Sequence, residues 1–157
     1  MSDVPSGSRS IVIAAPPEQV YAFITDVAKL STLSPECVRA AWNIGQSLRV
    51  GATFHGWNQA GDHTWDVDCE VSAVDPNKEF AFRAGTNVLG AHATRWRFVL
   101  EPRPGGTQVT ESYEAPVLAL PDHPVAQIPG RAAALTQGMQ ATLECLKTAL
   151  EGTEQVA

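Results

Sequence analysis

The sequence has little of what several functions require. Its 11 basic residues are scattered among 17 acidic ones, for a net charge of −6. Phosphate backbones and anionic membranes are held by clustered Lys and Arg, which argues against nucleic acid or an anionic membrane as the main partner. The three cysteines, Cys37, Cys69 and Cys145, form no CxxC pair, and a zinc ribbon or dithiol redox motif needs such paired spacing. They read as reduced thiols behaving as small hydrophobes. GxSxG, HExxH, GxGxxG and GxxxxGK[ST] are all missing, which removes the common hydrolase, zincin, dinucleotide and P-loop chemistries. The four histidines, at positions 55, 63, 92 and 123, have no i, i+4 spacing for a metal. No cofactor is expected. No apolar run approaches the ~20 residues of a membrane span. The opening "MSDVPSGSRS" also lacks the basic start and apolar stretch of a secretion signal. The expectation is a cytoplasmic chain, monomer or homodimer.

What is present is globular. Apolar residues make up 44% and charged residues 18% of 157, enough for one domain with a real core. Residues 1–8, rich in Ser, Gly and Pro, read as a flexible tail, 9–151 as a single domain and 152–157 as a second tail. "RSIVIAA" has strand length. In "PPEQVYAFITD", Pro17 suits a first helical turn and Val20, Phe23 and Ile24 share a face. Asp26 is placed to cap a second short helix carrying Val27, Leu30 and Leu33.

From residue 37 the hydrophobic period becomes two, and turns fix the register. Gly61-Asp62 has the glycine a two-residue hairpin turn requires. It sets Asn58 opposite Trp65, Gly56 opposite Val67 and Phe54 opposite Cys69. Opposed residues share a face, so these and Val71 point inward while His55, Trp57, Asp66, Asp68 and Glu70 point out. "DPNK" at 75–78 predicts Ala73 opposite Phe80, Val71 opposite Phe82 and Glu70 opposite Arg83. The next strand then turns Thr94, Trp96, Phe98 and Leu100 inward and Arg95 and Arg97 outward. From about Arg131 to Glu151, Leu135, Met139, Thr142, Leu143, Leu146 and Leu150 form one stripe at helical spacing. The fold class is α+β: about six to seven antiparallel strands whose apolar face is covered by the long C-terminal helix, with two short helices after the first strand.

Within "VTESYE" (109–114), alternation puts Val109, Glu111 and Tyr113 on the inward face. An unpaired buried carboxylate costs several kcal/mol, so it protonates or finds a partner. Three arrangements fit: Glu111 pairs with an inward cation or hydroxyl, faces a cavity, or leaves the core through a bulge. His92 shares the inward side with Thr94 near a strand end, where a cavity-mouth role competes with simple exposure. Asn58 is the second inward polar residue, either bonded to backbone at the hairpin end or offered to a ligand carbonyl. The inward aromatics Trp65, Phe80, Phe82, Trp96, Phe98 and Tyr113 are plain core or ligand wall.

The segments "SIVIAAPPEQVYAFITD", "FHGWN", "WDVDCEVSAVDPNKEFAFR", "RWRFVLEPRPGGTQVTESYE" and "GMQATLECLK" resemble the polyketide cyclase/dehydrase-like branch of the SRPBCC (START-like) superfamily. The resemblance spans roughly residues 9–150. It implies a helix-grip fold with a hydrophobic cavity between sheet and long helix, and a lipid, steroid or polyketide as the bound molecule. Several relatives carry a W..W.P pattern after the second helix where this chain has "LSTLSP". Two functions follow. One is binding of a small hydrophobic, lipid-like or polyketide-like molecule, with Phe54, Asn58, Trp65, Val67, Phe82, Thr94, Trp96, Phe98, Tyr113 and Met139 as candidate ligand contacts. The other is a polyketide cyclase or dehydratase using Glu111 or His92 as general acid/base.

Overall fold

The computed structural model describes residues 5–85, 93–120, 122, 124–127 and 129–155. The element order is β1 (Ser6–Ile13), α1 (Pro17–Ile24), α2 (Val27–Ser31), β2 (Cys37–Trp42), β3 (Thr53–Ala60), β4 (His63–Asp75), β5 (Glu79–Gly85), β6 (Thr94–Arg103) and β7 (Gly106–Glu114). Two 3-10 turns, Pro116–Ala119 and Pro124–Gln127, lead into α3 (Arg131–Gln155). The strands form one antiparallel sheet in the order β1-β7-β6-β5-β4-β3-β2. All steps from β2 to β7 are hairpin-like neighbours, and β1 joins at the far side of β7. This is the helix-grip arrangement expected from the sequence. Among the described residues no helix is long and apolar enough to cross a membrane.

The turn-derived register holds through β3 and β4, with Asn58 opposite Trp65, Gly56 opposite Val67 and Phe54 opposite Cys69. Gly61 supplies the positive φ (60°) the turn demands. Between β4 and β5 one pairing differs. Val71 faces Phe82 and Glu70 faces Arg83 as expected, but Phe80 faces Val74, and Ala73 faces Ala81. The loop is one residue longer than a two-residue turn, with Asn77 at φ 65°. A bulge between Val71 and Ala73 absorbs the extra residue and restores the register. The Glu70–Arg83 pair then closes across the strands.

Helix α1 starts at Pro17 and buries Val20, Tyr21 and Ile24. Phe23, expected on the inner face, is only partly buried, and Tyr21 takes its place because its hydroxyl donates to the Glu79 carbonyl at 2.8 Å. Asp26 caps α2 by accepting from the Lys29 amide. Among the described residues, β1 and α3 each extend beyond the domain bounds expected from composition. Ser6, Gly7 and Ser8 of the presumed tail pair with Glu114, Tyr113 and Ser112, and α3 runs four residues past Glu151 to Gln155. Serine and glycine carry no hydrophobic signal, yet their backbone groups complete the β7 ladder. Helix α3 is tied to the outer side of β1 by Lys147 Nζ, which donates to the Val12 carbonyl at 2.9 Å, and by Glu151, which accepts from the Ala14 amide at 2.8 Å.

The main core gathers Ile13, Val20, Ile24, Phe80, Leu143 and Leu146, each fully buried. It lies between α1, α2, the sheet and the C-terminal half of α3. Phe80 therefore belongs to the packed core. The N-terminal half of α3 stands over a different part of the sheet, and there the packing is incomplete.

Two outcomes follow from this packing. A Cβ at Gly106 would lie 2.1 Å from the Ile13 carbonyl oxygen, which is main chain and cannot rotate away. Gly106→Ala should lower unfolding free energy by about 1–3 kcal/mol, read by urea denaturation. On the outer face His55 bonds Asp68 (2.8 Å) and Asp66 (2.7 Å), and these hydrogen bonds, that to Asp68 first, raise its pKa. The folded state then holds the proton more tightly. This contribution is present below the unfolded pKa of about 6.5 and is lost as pH rises through the raised folded value. A His55→Gln comparison across that range should show a small loss of its disadvantage with rising pH, small because the carboxylates are exposed.

Candidate functional site

A cavity of about 630 Å³ opens between the sheet and the first half of α3, within the ~300–1,000 Å³ range usual for small-molecule sites. The strands supply its floor through their inward alternation: Phe54 and Asn58 from β3, Trp65 and Val67 from β4, Phe82 from β5, Thr94, Trp96 and Phe98 from β6, and Glu111 from β7. Helix α3 supplies the roof through Leu135, Gly138, Met139 and Thr142, one stripe at helical spacing. Helix α2 and the segment after it close one side with Ser31, Ser34, Pro35 and Glu36. Gly56 is also on the wall, where a Cβ would meet Val67 at 3.8 Å and the Cys37 sulfur at 3.9 Å, ordinary contact distances.

Of the candidate ligand contacts and acid/base residues named from the sequence, all but Tyr113 and His92 are on this wall. Tyr113 is buried but stands off the lining: its hydroxyl donates to the Ala132 carbonyl at 3.3 Å, and its ring packs on Trp96 with centroids 5.7 Å apart. It anchors the start of α3 instead. His92 lies outside the described residues. The aromatic wall is internally braced, Phe54 meeting Phe82 edge-to-face at 5.2 Å and Trp42 at 5.5 Å. Such pairs favour tilted ring geometries and add to the packing of this wall.

Glu111 sits on this wall with 5% of its surface exposed, opposite Phe98 on β6. Its other cross-strand neighbour is Arg9 on β1, a cation placed beside it by register. Arg9 is exposed, however, and bonds the Ser8 carbonyl, so it leaves the carboxyl alone. Glu111 Oε1 is buried without a hydrogen-bond partner. Desolvation, with no compensating charge, pushes its pKa up to about 8. Of the three arrangements open to the sequence, the structure selects the carboxyl that faces a cavity.

A further polar group on the wall, besides Glu111 and Asn58, has no signal in the sequence. Arg131, the first residue of α3, is 8% exposed and lines the cavity. It forms a two-pronged pair with Glu36, Nη1 donating to Oε2 at 2.6 Å and Nη2 to Oε1, and its guanidinium stands 5.3 Å from the Trp65 ring centre. The partners are 95 residues apart in the chain, and neither belongs to a motif, so only the folded chain reveals them. The cavity therefore has two polar poles, Glu111 on β7 and the Glu36–Arg131 pair at the start of α3, with Asn58, Asp66 and Thr142 also on its wall. Among the described residues no group of three or more His, Cys, Asp or Glu side chains could hold a metal ion.

The raised pKa has a direct stability signature. Between about pH 4.5 and pH 8 the folded protein keeps a proton on Glu111 that the unfolded chain releases, so stability falls as pH rises through that window, by up to ~1.4 kcal/mol per unit. Glu111→Gln removes this slope. Denaturation of both proteins across the window should show the variant's relative stability growing with pH.

Comparison with known proteins places this geometry. The family model described as polyketide cyclase / dehydrase and lipid transport matches residues 5–151. No curated protein matches the chain. Among solved structures, a polyketide-cyclase-like protein of Corynebacterium glutamicum is 30% identical over 96% of this chain and 94% of its own, with a TM-score of 0.65. A protein of Nitrosomonas europaea is 14% identical over 100% of both chains, with a TM-score of 0.70. The di-domain ARO/CYC protein StfQ of the steffimycin biosynthetic pathway is 12% identical, over 97% of this chain and 52% of its own, at a TM-score of 0.70. The last two show the fold alone. With the family model covering nearly the whole domain, the chain belongs to the polyketide cyclase / dehydrase and lipid transport family of the SRPBCC superfamily.

Proposed function

We propose that this protein binds a small, mostly apolar molecule in the cavity between the sheet and α3, with protonated Glu111 orienting an oxygen of the ligand. The observation that carries the reading is Glu111 Oε1, a buried carboxyl oxygen without a partner on the wall of a 630 Å³ cavity. A buried polar atom left unpaired costs about 1–3 kcal/mol. A ligand hydroxyl or carbonyl supplies the missing bond, and the apolar wall supplies most of the affinity.

A second reading, acid/base catalysis on a polyketide-like substrate, is favoured by one observation: a carboxyl with a pKa near 8 exchanges its proton close to neutral pH, as a general base must. Against it stands the spacing of the polar groups. Glu111 is on β7 and Asn58 on β3, four strand steps apart in the sheet, or ~19 Å along its curve at ~4.8 Å per step. A base and an enolate-stabilising donor need to reach atoms of one reacting centre. These two groups suit the ends of one bound molecule better.

Native mass spectrometry of freshly purified protein, followed by solvent extraction, tests the binding reading. A 1:1 adduct of a few hundred daltons is the expected result. A bare mass together with no saturable uptake of naphthalene or other apolar probes would remove it. Glu111→Gln separates the two readings on a ligand so identified: a binder keeps affinity within about tenfold, whereas an acid/base enzyme loses turnover by ~10² or more.

A further inference from the structure

Among the described residues, two buried side-chain atoms on the cavity lining have no hydrogen-bond partner, Glu111 Oε1 and Arg131 Nε. They differ in kind. Arg131 is the only basic residue among the described lining residues, and an uncompensated guanidinium there would draw a ligand carboxylate. Its charge is already answered. Glu36 takes both terminal nitrogens, one for each carboxylate oxygen, and Trp65 covers the guanidinium face. What remains for a ligand is a single Nε–H donor with little net charge behind it.

Such a donor suits a neutral acceptor oxygen: a ketone, an ester or a hydroxyl. A ligand carboxylate at the same place would sit beside the Glu36 carboxylate, away from water, and like charges so placed cost several-fold to many-fold in affinity. At the other pole Glu111 adds no cation; it offers either a carboxylic O–H or, if ionised, another negative charge. Arg9, the nearest cation by register, is exposed and bonded to the Ser8 carbonyl. Among the described residues, neither pole has a free positive charge for an anionic head.

We propose that Glu36, by cancelling Arg131, makes this cavity selective for neutral, oxygen-bearing hydrophobes over carboxylates of the same size and shape. Glu36 is thus a specificity-determining residue, and free fatty acids and other carboxylate-headed lipids are the wrong class of occupant. The inference rests on the reading of the cavity as a ligand site.

The test uses three probes matched in ring size: methyl naphthyl ketone, naphthoate and unsubstituted naphthalene. Each is titrated into the full-length wild type and Glu36→Gln by calorimetry at neutral pH. The wild type should bind the ketone at least about tenfold more tightly than naphthoate. Glu36→Gln frees the Arg131 charge, so it should tighten naphthoate by about tenfold or more while changing the ketone by less than about threefold. Naphthoate binding the wild type as well as the ketone overturns the selectivity while leaving the ligand site standing, and this holds even if the variant does not fold. A folded Glu36→Gln whose ketone-to-naphthoate ratio is unmoved overturns the role of Glu36. If none of the three probes binds, naphthalene included, the ligand site itself falls and the inference goes with it.

Discussion

An α-helix with its side chains is about 10–12 Å across, whereas seven strands set side by side span six intervals of ~4.8 Å, or roughly 29 Å. That mismatch governs this molecule. One long helix cannot cover the apolar face of a seven-stranded sheet, and the sheet must curl to shorten the distance its cover has to bridge. The C-terminal half of α3, with α1 and α2 filling in, closes one region tightly around Phe80, Leu143 and Leu146. The other half is held by fewer supports, and what lies beneath it is empty volume. The cavity is the part of the sheet that the helices do not reach.

Everything polar inside follows from the same geometry. A carboxyl on β7 is intolerable in a filled core but tolerable on the wall of a void, provided it stays uncharged or meets a partner brought from outside. The first turn of α3 needs an anchor because it hangs over that void. Tyr113 gives it one through the Ala132 carbonyl, and Arg131 gives it another through Glu36. These anchors pin the roof to the sheet and to the segment after α2. Tyr113 and Arg131 are thus structural fixtures of the roof.

Much of this was legible in the chain itself. Turn residues such as Gly61 together with strict alternation fix a register to the residue, since a slip of one would carry every side chain to the opposite face. That logic placed Phe54, Val67 and Phe82 on one surface and raised the question of Glu111. It stumbled at Ala73, where a longer turn and a compensating bulge have no hydrophobic signature. It also missed Ser6 to Ser8, whose part in β1 is carried by main-chain bonds. Alternation shows that Tyr113 points inward but not whether helix or void awaits it there, because that depends on the path of α3. Glu36 and Arg131 left no local trace. Their pairing is a product of tertiary structure alone.

One modest irregularity bears on how the molecule behaves in company. Strand β2 is the last in the sheet, and its ladder with β3 shifts between Cys37 and Arg39, leaving Val38 turned outward with 63% of its surface exposed. A regular outermost strand offers an unbroken row of amides and carbonyls onto which a neighbouring molecule can stack, the first step toward ordered aggregation. The bulge breaks that row near its start and twists it. An interrupted edge of this kind works against one sheet extending into the next at β2.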